Sequence, residues 1–255
     1  MIDILMAVYN GGDFLAEQIE SILGQSVGGW HLYICDDGSK DKSFWIASEY
    51  AEKYPDLITV SRNEVPTGSA CGNFMGMLRK SSAEYVMFSD QDDFWLPDKI
   101  KLTLKKMREL EVMYPASPIL VHTELEIVDR ELNVTALAFT KFQGLDPEKK
   151  SLNRLLCQNN ITGCTVMMNR ALADIIKDTP AEKMLMPPSF SFLSSPSFFP
   201  PSPLDTPTVK YRQHGDNQLG RANNISVAGA ALIVKTPDPE SGVLGKRADL
   251  GGRRI

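Results

Sequence analysis

The sequence predicts an α/β fold: a mainly parallel central sheet with helices on both faces. Two observations carry that expectation. From Ile2 to Met113, short continuous apolar runs alternate with segments whose apolar residues recur at helical spacing. Each run also ends beside glycine, asparagine, serine or aspartate, the residues that turn a chain. Strands that alternate with helices pair in parallel, because the helix supplies the crossover a parallel neighbour needs.

In order, Ile4 to Val8 is a buried strand turned by Asn10-Gly11-Gly12. Asp13 is placed to cap the helix that follows, whose Leu15, Ile19, Ile22 and Leu23 share one face, and Gly24 should end it. Trp30 to Cys35 is the second strand and runs into Asp36-Asp37-Gly38-Ser39, with Asp41 just beyond. A helix from Lys42 to Tyr54, a strand from Leu57 to Val60, a loop through Pro66-Thr67-Gly68 and a helix from Ala70 to Lys80 come next. Tyr85 to Phe88 is the fourth strand. A helix from Asp98 to Met113 follows, with Ile100, Leu104, Met107 and Glu111 on a half-apolar face.

The second half is less regular. Ile119 to His122 and Leu125 to Val128 read as two strands, residues 139–150 as a polar loop and Ser151 to Gln158 as a helix. Gly163 to Met168 reads as a strand and Arg170 to Lys177 as a helix.

Composition narrows the functions open to such a chain. At 255 residues and 43% apolar it can build one large domain. A net charge of −5 argues against nucleic acid as the main partner. The apolar run Val227 to Val234 is far too short to span a bilayer. The N-terminus lacks the basic region of a signal peptide. Cys35, Cys71, Cys157 and Cys164 form no CxxC pair and no zinc spacing, so reduced thiols and a cytoplasmic setting are expected. Peripheral association with the inner face of a membrane is compatible with this composition.

The chemistry concentrates at Ser89-Asp90-Gln91-Asp92-Asp93-Phe94-Trp95. Asp90, Asp92 and Asp93 put three carboxylates in four residues, directly after a buried strand. Like charges so close repel, and a positive partner is expected among them. Hard oxygen ligands suit magnesium or manganese, which completes its shell with water and a substrate's phosphates. The plain alternative is a solvated acidic turn ahead of the helix at Asp98. Against it, Asn10, Asp36, Asp37, Asp90 and Asp92 all fall at carboxyl ends of strands, where open parallel sheets bind ligands.

Five motifs, in this order, carry a family resemblance: Met6-Ala7-Val8-Tyr9-Asn10-Gly11, Cys35-Asp36-Asp37-Gly38-Ser39-Lys40-Asp41, Ser89 to Trp95, Gly163-Cys164-Thr165-Val166 and Tyr211-Arg212-Gln213-His214-Gly215-Asp216-Asn217. The chain resembles family 2 glycosyltransferases with the GT-A, nucleotide-diphospho-sugar transferase-like fold, and in particular bacterial rhamnosyltransferases of O-antigen and cell-wall polysaccharide synthesis. The resemblance covers residues 1 to about 180 and resumes over roughly 204–220.

It implies a donor-binding half over residues 1–113, an acceptor half of the same domain over 114–220, and a poorly structured tail over 221–255. It implies that Ala7 and Tyr9 line a nucleobase pocket, and that Asp36 or Asp37 accepts a hydrogen bond from a pyrimidine. It implies that Asp90 contacts ribose or a metal-bound water, and that Asp92, with His214 nearby, holds Mg or Mn on the donor diphosphate. The plain alternative for His214 is a structural loop histidine. The expected donor is a dTDP- or UDP-sugar, the expected acceptor a saccharide or lipid-linked glycan, and the expected chemistry displacement with inversion.

One departure stands out. The related rhamnosyltransferases carry an aspartate base in a His-Asp-Trp-Trp-like motif after the position of Met184-Leu185-Met186. Here residues 187–203 are rich in Pro, Ser and Phe and contain no acid, and their prolines forbid the expected helix. A shifted reading frame between two compensating changes explains that segment; a genuine Pro-rich lid or linker is the alternative. Glu182 and Asp205 flank it without matching the motif. The competing readings are a nucleotide-sugar-binding protein impaired in catalysis and a nucleotidyltransferase. The latter needs a basic, Gly-rich loop that Asn10-Gly11-Gly12-Asp13 does not supply.

Overall fold

The structure, a computed structural model, describes residues 1–139, 162–178 and 202–214. All of them lie in one compact unit, Met1–Asn224. In chain order the elements are β1 (Ile2–Val8), α1 (Leu15–Leu23), β2 (Trp30–Asp36), α2 (Ser43–Lys53), β3 (Ile58–Arg62), α3 (Ala70–Lys80), β4 (Tyr85–Ser89) and β5 (Phe94–Trp95). There follow α4 (Lys99–Met113), β6 (Leu120–Val128), β7 (Val134–Ala136), a 3₁₀ turn (Gly163–Thr165), β8 (Val166–Asn169), α5 (Arg170–Lys177) and β9 (Ser202–Arg212).

One sheet runs β3-β2-β1-β4-β8-β6-β9-β5, with β7 beside β6. The first four strands are parallel, as the alternation of strand and helix predicts. β8 then enters antiparallel to both β4 and β6, so the second half of the sheet is mixed. Two apolar layers cover its faces. Leu15, Ile19 and Ile22 of α1, Ala47 of α2 and Ile100 and Met107 of α4 pack on one face. Phe74 and Leu78 of α3 and Leu172 and Ile176 of α5 pack on the other.

Local signals set several boundaries. Ser69 accepts a bond from the Gly72 N–H and Asn169 one from the Leu172 N–H, so α3 and α5 start on side-chain caps, and each spans the predicted residues. α1 differs from expectation: Phe14 occupies its cap position with no side-chain bond, and the Asp13 carboxylate pairs with Arg130 at 2.8 Å instead. The strands expected at 119–122 and 125–128 are one continuous β6, with register shifts around Glu124 where Pro207 of β9 passes without an N–H to donate. Gly163–Thr165 is a 3₁₀ turn rather than the start of a strand.

β9 was not anticipated; its Ser202 and Pro203, the last residues of the anomalous segment, pair with Val121 and His122. The rest of that segment, the loop 140–150, the helix expected at 151–158, Gly215-Asp216-Asn217 and the tail 221–255 lie outside the described residues. No disulfide occurs among the described residues, and Cys35, Cys71 and Cys164 are free and buried.

Candidate active site at the carboxyl ends of the parallel strands

Strand register brings three loops to one edge: Val8 stands opposite Asp36, and Met6 opposite Ser89. The loop after β1 is pinned to the loop after β2. Asn10 N–H donates to Ser39 Oγ, Gly11 N–H to Ser43 Oγ and Gly12 N–H to Asp41 Oδ2, each at 2.9 Å, and Lys40 N–H returns a bond to Asn10 Oδ1 at 2.8 Å. Asn10 holds φ at +51°, a left-handed conformation that asparagine tolerates better than most residues. The turn leaves Tyr9 half exposed at the rim and Ala7 partly exposed next to Cys35.

The two aspartates that end β2 have different surroundings. Asp36 is fully enclosed and held by Arg62 Nε at 3.0 Å and the N–H groups of Gly38 and Ser39 at 3.1 Å. Asp37 lies under the loop 63–68, accepting from Thr67 N–H (2.8 Å), Gly68 N–H (3.0 Å), Thr67 Oγ1 (3.0 Å) and Asn63 Nδ2 (2.7 Å). Burial pushes the Asp37 carboxyl up, but these bonds more than offset it and hold the group below the usual carboxylate range.

Gln91, the middle residue of Asp90-Gln91-Asp92, ties the third loop to the first. Its Oε1 accepts from Tyr9 N–H at 2.8 Å and its Nε2 donates to Tyr9 C=O at 3.0 Å. The amide packs against Gly11, where an added Cβ would stand 2.3 Å from Gln91 Cδ. Only glycine admits this contact.

At the far side Asp92 meets His214, whose Nε2 lies 2.8 Å from Asp92 Oδ2. His214 also stacks on Phe14, ring centroids 4.7 Å apart. Arg212 anchors the segment that carries it: its Nε donates to Asp92 C=O at 2.9 Å, and its other nitrogens bond Glu17 and the Arg130 C=O. Its guanidinium sits 4.8 Å from the Phe14 ring centroid.

Behind Asp92, Asp90, Asp93 and Cys164 bring ligand atoms within 4.8 Å of one another. Burial pushes the Cys164 thiol well up, and it donates to Asp93, so it is poorly suited to ligate a metal as thiolate. Lys99 is fully buried there with its Nζ 4.7 Å from the Trp95 ring centroid, and burial brings its pKa down to about 8. Asp93 Oδ2, Lys99 Nζ and Trp95 Nε1 have no hydrogen-bond partner among the described residues.

Crowding here makes stability depend on pH. Burial, then Asp92, pushes the Asp90 carboxyl up to about 7, and Asp93 moves in the same direction. A carboxyl with a raised folded-state value binds its proton more tightly in the folded chain, so stability is lost as pH rises toward that value. Without metal, the protein should be more stable at pH 6 than at pH 8, the lowered Lys99 value offsetting part of the difference. Thermal denaturation at the two pH values measures this; a melting temperature that drops toward pH 6 contradicts it.

Asp92 and His214 share a hydrogen bond, and the spacing of the same two atoms is compatible with neighbouring ligands of a divalent ion. Neighbouring positions of an octahedral shell with arms near 2.0–2.1 Å lie about 2.9 Å apart, and the observed separation is 2.8 Å. A carboxylate with an imidazole suits manganese, and magnesium where phosphate and water complete the shell.

The sequence reading assigned Ala7, Tyr9, Asp36, Asp37, Asp90, Asp92 and His214, and all lie along this edge. It gave no part to Gln91, Arg212 or Phe14. Gln91 and Arg212 lie within the family motifs, but their partners are 82 and 120 residues away, a separation no local pattern reveals.

The family model for glycosyl transferase family 2 matches residues 3–175. The chain is 27% identical over 172 residues to the UDP-Glc:alpha-D-GlcNAc-diphosphoundecaprenol beta-1,3-glucosyltransferase WfgD of Escherichia coli, covering 68% of this chain and 61% of that protein. It is 37% identical over 99 residues to the dTDP-rhamnosyl transferase RfbG of Shigella flexneri, covering 38% and 34%. Among solved structures, the mannosyltransferase PcManGT of Pyrobaculum calidifontis, in complex with GDP-Man and Mn2+, shares the fold with a TM-score of 0.58 at 16% identity, over 83% of this chain and 56% of that one. The chain thus spans about three fifths or less of the length of these proteins. With the GT-A fold and the family model agreeing over most of its length, the chain belongs to glycosyl transferase family 2.

Proposed function

We propose that the protein transfers a sugar, with rhamnose the first candidate, from a dTDP- or UDP-sugar to a saccharide or lipid-linked glycan, with inversion. The observation that supports this reading is the gathering of Asp92 and His214, 2.8 Å apart, with the Gln91–Tyr9 clasp at the carboxyl ends of the parallel strands. Asp92 and His214 would hold Mg or Mn, which would supply Lewis-acid neutralisation of charge on the leaving diphosphate. Tyr9 and Ala7 face the base, and Asp37 is better placed than the enclosed Asp36 to accept its N–H once the 63–68 loop yields a bond. Asp90 takes the ribose or a bound water. Relatives named for UDP-glucose and dTDP-rhamnose support a pyrimidine donor.

Inversion by single displacement needs a base opposite the leaving group. The segment 187–203, where the resemblance puts it, contains no acid, and that observation favours a second reading: a nucleotide-sugar-binding protein impaired in transfer. Re-reading the gene across those codons separates the two. An alternative frame that encodes an acid-aromatic helix start restores the enzyme. A confirmed sequence predicts binding without efficient turnover. A setting in the cytoplasm or at the inner face of a membrane suits both; no helix among the described residues is long and apolar enough to cross one.

A panel of dTDP- and UDP-sugars, titrated with and without Mn, tests the donor assignment. Binding that ignores metal in the parent overturns it. Gln91→Leu should weaken nucleoside diphosphate binding about tenfold, because two bonds that shape the Tyr9 turn are lost. Gly11→Ala should weaken it similarly by displacing the Gln91 amide. Isothermal titration with UDP and dTDP reads both, and unchanged affinity removes Gln91 from the site.

A further inference from the structure

Away from the strand ends, α4 presents a second built surface. Lys101, Lys105, Arg108 and Val112 recur at i, i+4, i+7 and i+11, so they form one stripe along the helix, opposite the buried Ile100, Thr103 and Met107. A groove of about 510 Å³ follows this stripe. It is lined by the apolar Val27, Leu104 and Val112 and by the basic Lys101, Lys105 and Arg108; Glu109 adds one acid.

Like Lys40, Lys42, Lys80 and Lys106, the cations here are held by no buried carboxylate among the described residues; what distinguishes them is that three share one face of one helix beside apolar side chains. Lys105 and Arg108 make no hydrogen bond or ion pair among the described residues, and Lys101 reaches only the exposed Asp98 at 3.3 Å. The stripe ends on the exposed Val112, at 82% exposure, and the last residue of α4, Met113, is exposed at 56% on the adjoining face. Unpaired cations fit phosphates; apolar side chains beside them add nothing to a nucleic acid backbone, but suit the boundary between headgroups and acyl chains. On a chain of net charge −5, which an anionic surface repels as a whole, such a stripe decides which face approaches.

We propose that this stripe docks the protein on an anionic phospholipid bilayer, with lipid phosphates on Lys101, Lys105 and Arg108 and with Val112 and Met113 entering the headgroup layer. The inference rests on the transfer reading above, in which a lipid carries the acceptor, and it adds the face that brings the enzyme to that lipid.

Co-sedimentation of the full chain with phosphatidylcholine vesicles, with and without phosphatidylglycerol, tests it. Binding is expected only with phosphatidylglycerol and should fall in high salt. The triple variant Lys101→Gln, Lys105→Gln, Arg108→Gln should lower partition about 100-fold. Val112→Asp with Met113→Asp should lower it with the basic residues intact. UDP or dTDP binding, measured on the same samples, should be unchanged in both variants. Equal sedimentation with neutral vesicles, or a triple variant that partitions like the parent, overturns the inference. So does self-association in the absence of lipid that the triple variant abolishes, which makes the stripe a contact between copies. Vesicle binding that fails while nucleotide binding persists sinks the docking surface alone; vesicle binding without nucleotide binding sinks the transfer reading instead.

Discussion

Asp92→Asn should abolish metal-dependent donor binding and lower kcat/KM by two to three orders of magnitude, on the order of 100- to 1,000-fold. The substitution keeps the shape of the side chain and removes its charge. It leaves His214 with a neutral neighbour at the 2.8 Å contact, and an amide oxygen is a much weaker ligand for a hard cation. Loss of fold is not the expected cause, because Asp92 is one of the charges that push the Asp90 and Asp93 carboxyls up. Removing it relieves that repulsion, so the metal-free variant should melt at or above the temperature of the parent. Metal titrations followed by nucleotide binding, alongside thermal denaturation, read both halves. A variant that keeps metal-dependent affinity takes Asp92 out of the site, whatever its stability.

The second large effect is structural. Arg212→Met should cost about 3 kcal/mol. Arg212 is 2% exposed and joins distant parts of the chain: Asp92 C=O, Arg130 C=O and Glu17 all depend on it, and its plane lies over Phe14. Methionine fills much of the volume but leaves two carbonyls without donors. In a domain of this size the loss corresponds to a fall in melting temperature of about 6–12 °C. Lys at the same position should rescue little, because an ammonium cannot hold several divergent acceptors as the guanidinium fork does. Since Arg212 also positions the Asp92 backbone and the segment leading to His214, metal affinity should fall below the temperature at which either variant unfolds. A variant within 1 °C of the parent refutes the anchoring role.

How much was legible in the sequence depended on how local the signal was. α3 and α5 came out at the residues expected, since their caps at Ser69 and Asn169 and their apolar spacing lie within a few residues of one another. β1 to β4 were legible as apolar runs because strands of a parallel sheet are covered on both faces. Asp13 misled, because an aspartate beside a helix start meets any cation within reach, and Arg130, 117 residues on, lies outside a local window. β6 looked divided because Thr123 and Glu124 interrupt its apolar pattern; in the fold Thr123 bonds Thr208 at 2.6 Å, a partner 85 residues away. β9 escapes a local reading because Pro203 and Pro207 argue against a strand; register shifts in the pairing flank Pro207, while Pro203 pairs with His122 in register near the strand's start.

By itself the sequence determined the α/β order of elements, the family motifs and the collection of carboxylates at strand ends, because periodicity and turn chemistry are properties of neighbouring residues. Tertiary structure alone decided that Asp92 faces His214, that Gln91 clasps Tyr9 across Gly11, and that Arg212 ties β9 to the acidic loop. Those contacts join residues separated by 82 to 122 positions, and sheet register, which sums the pairing of every strand between them, is what brings them within hydrogen-bonding distance.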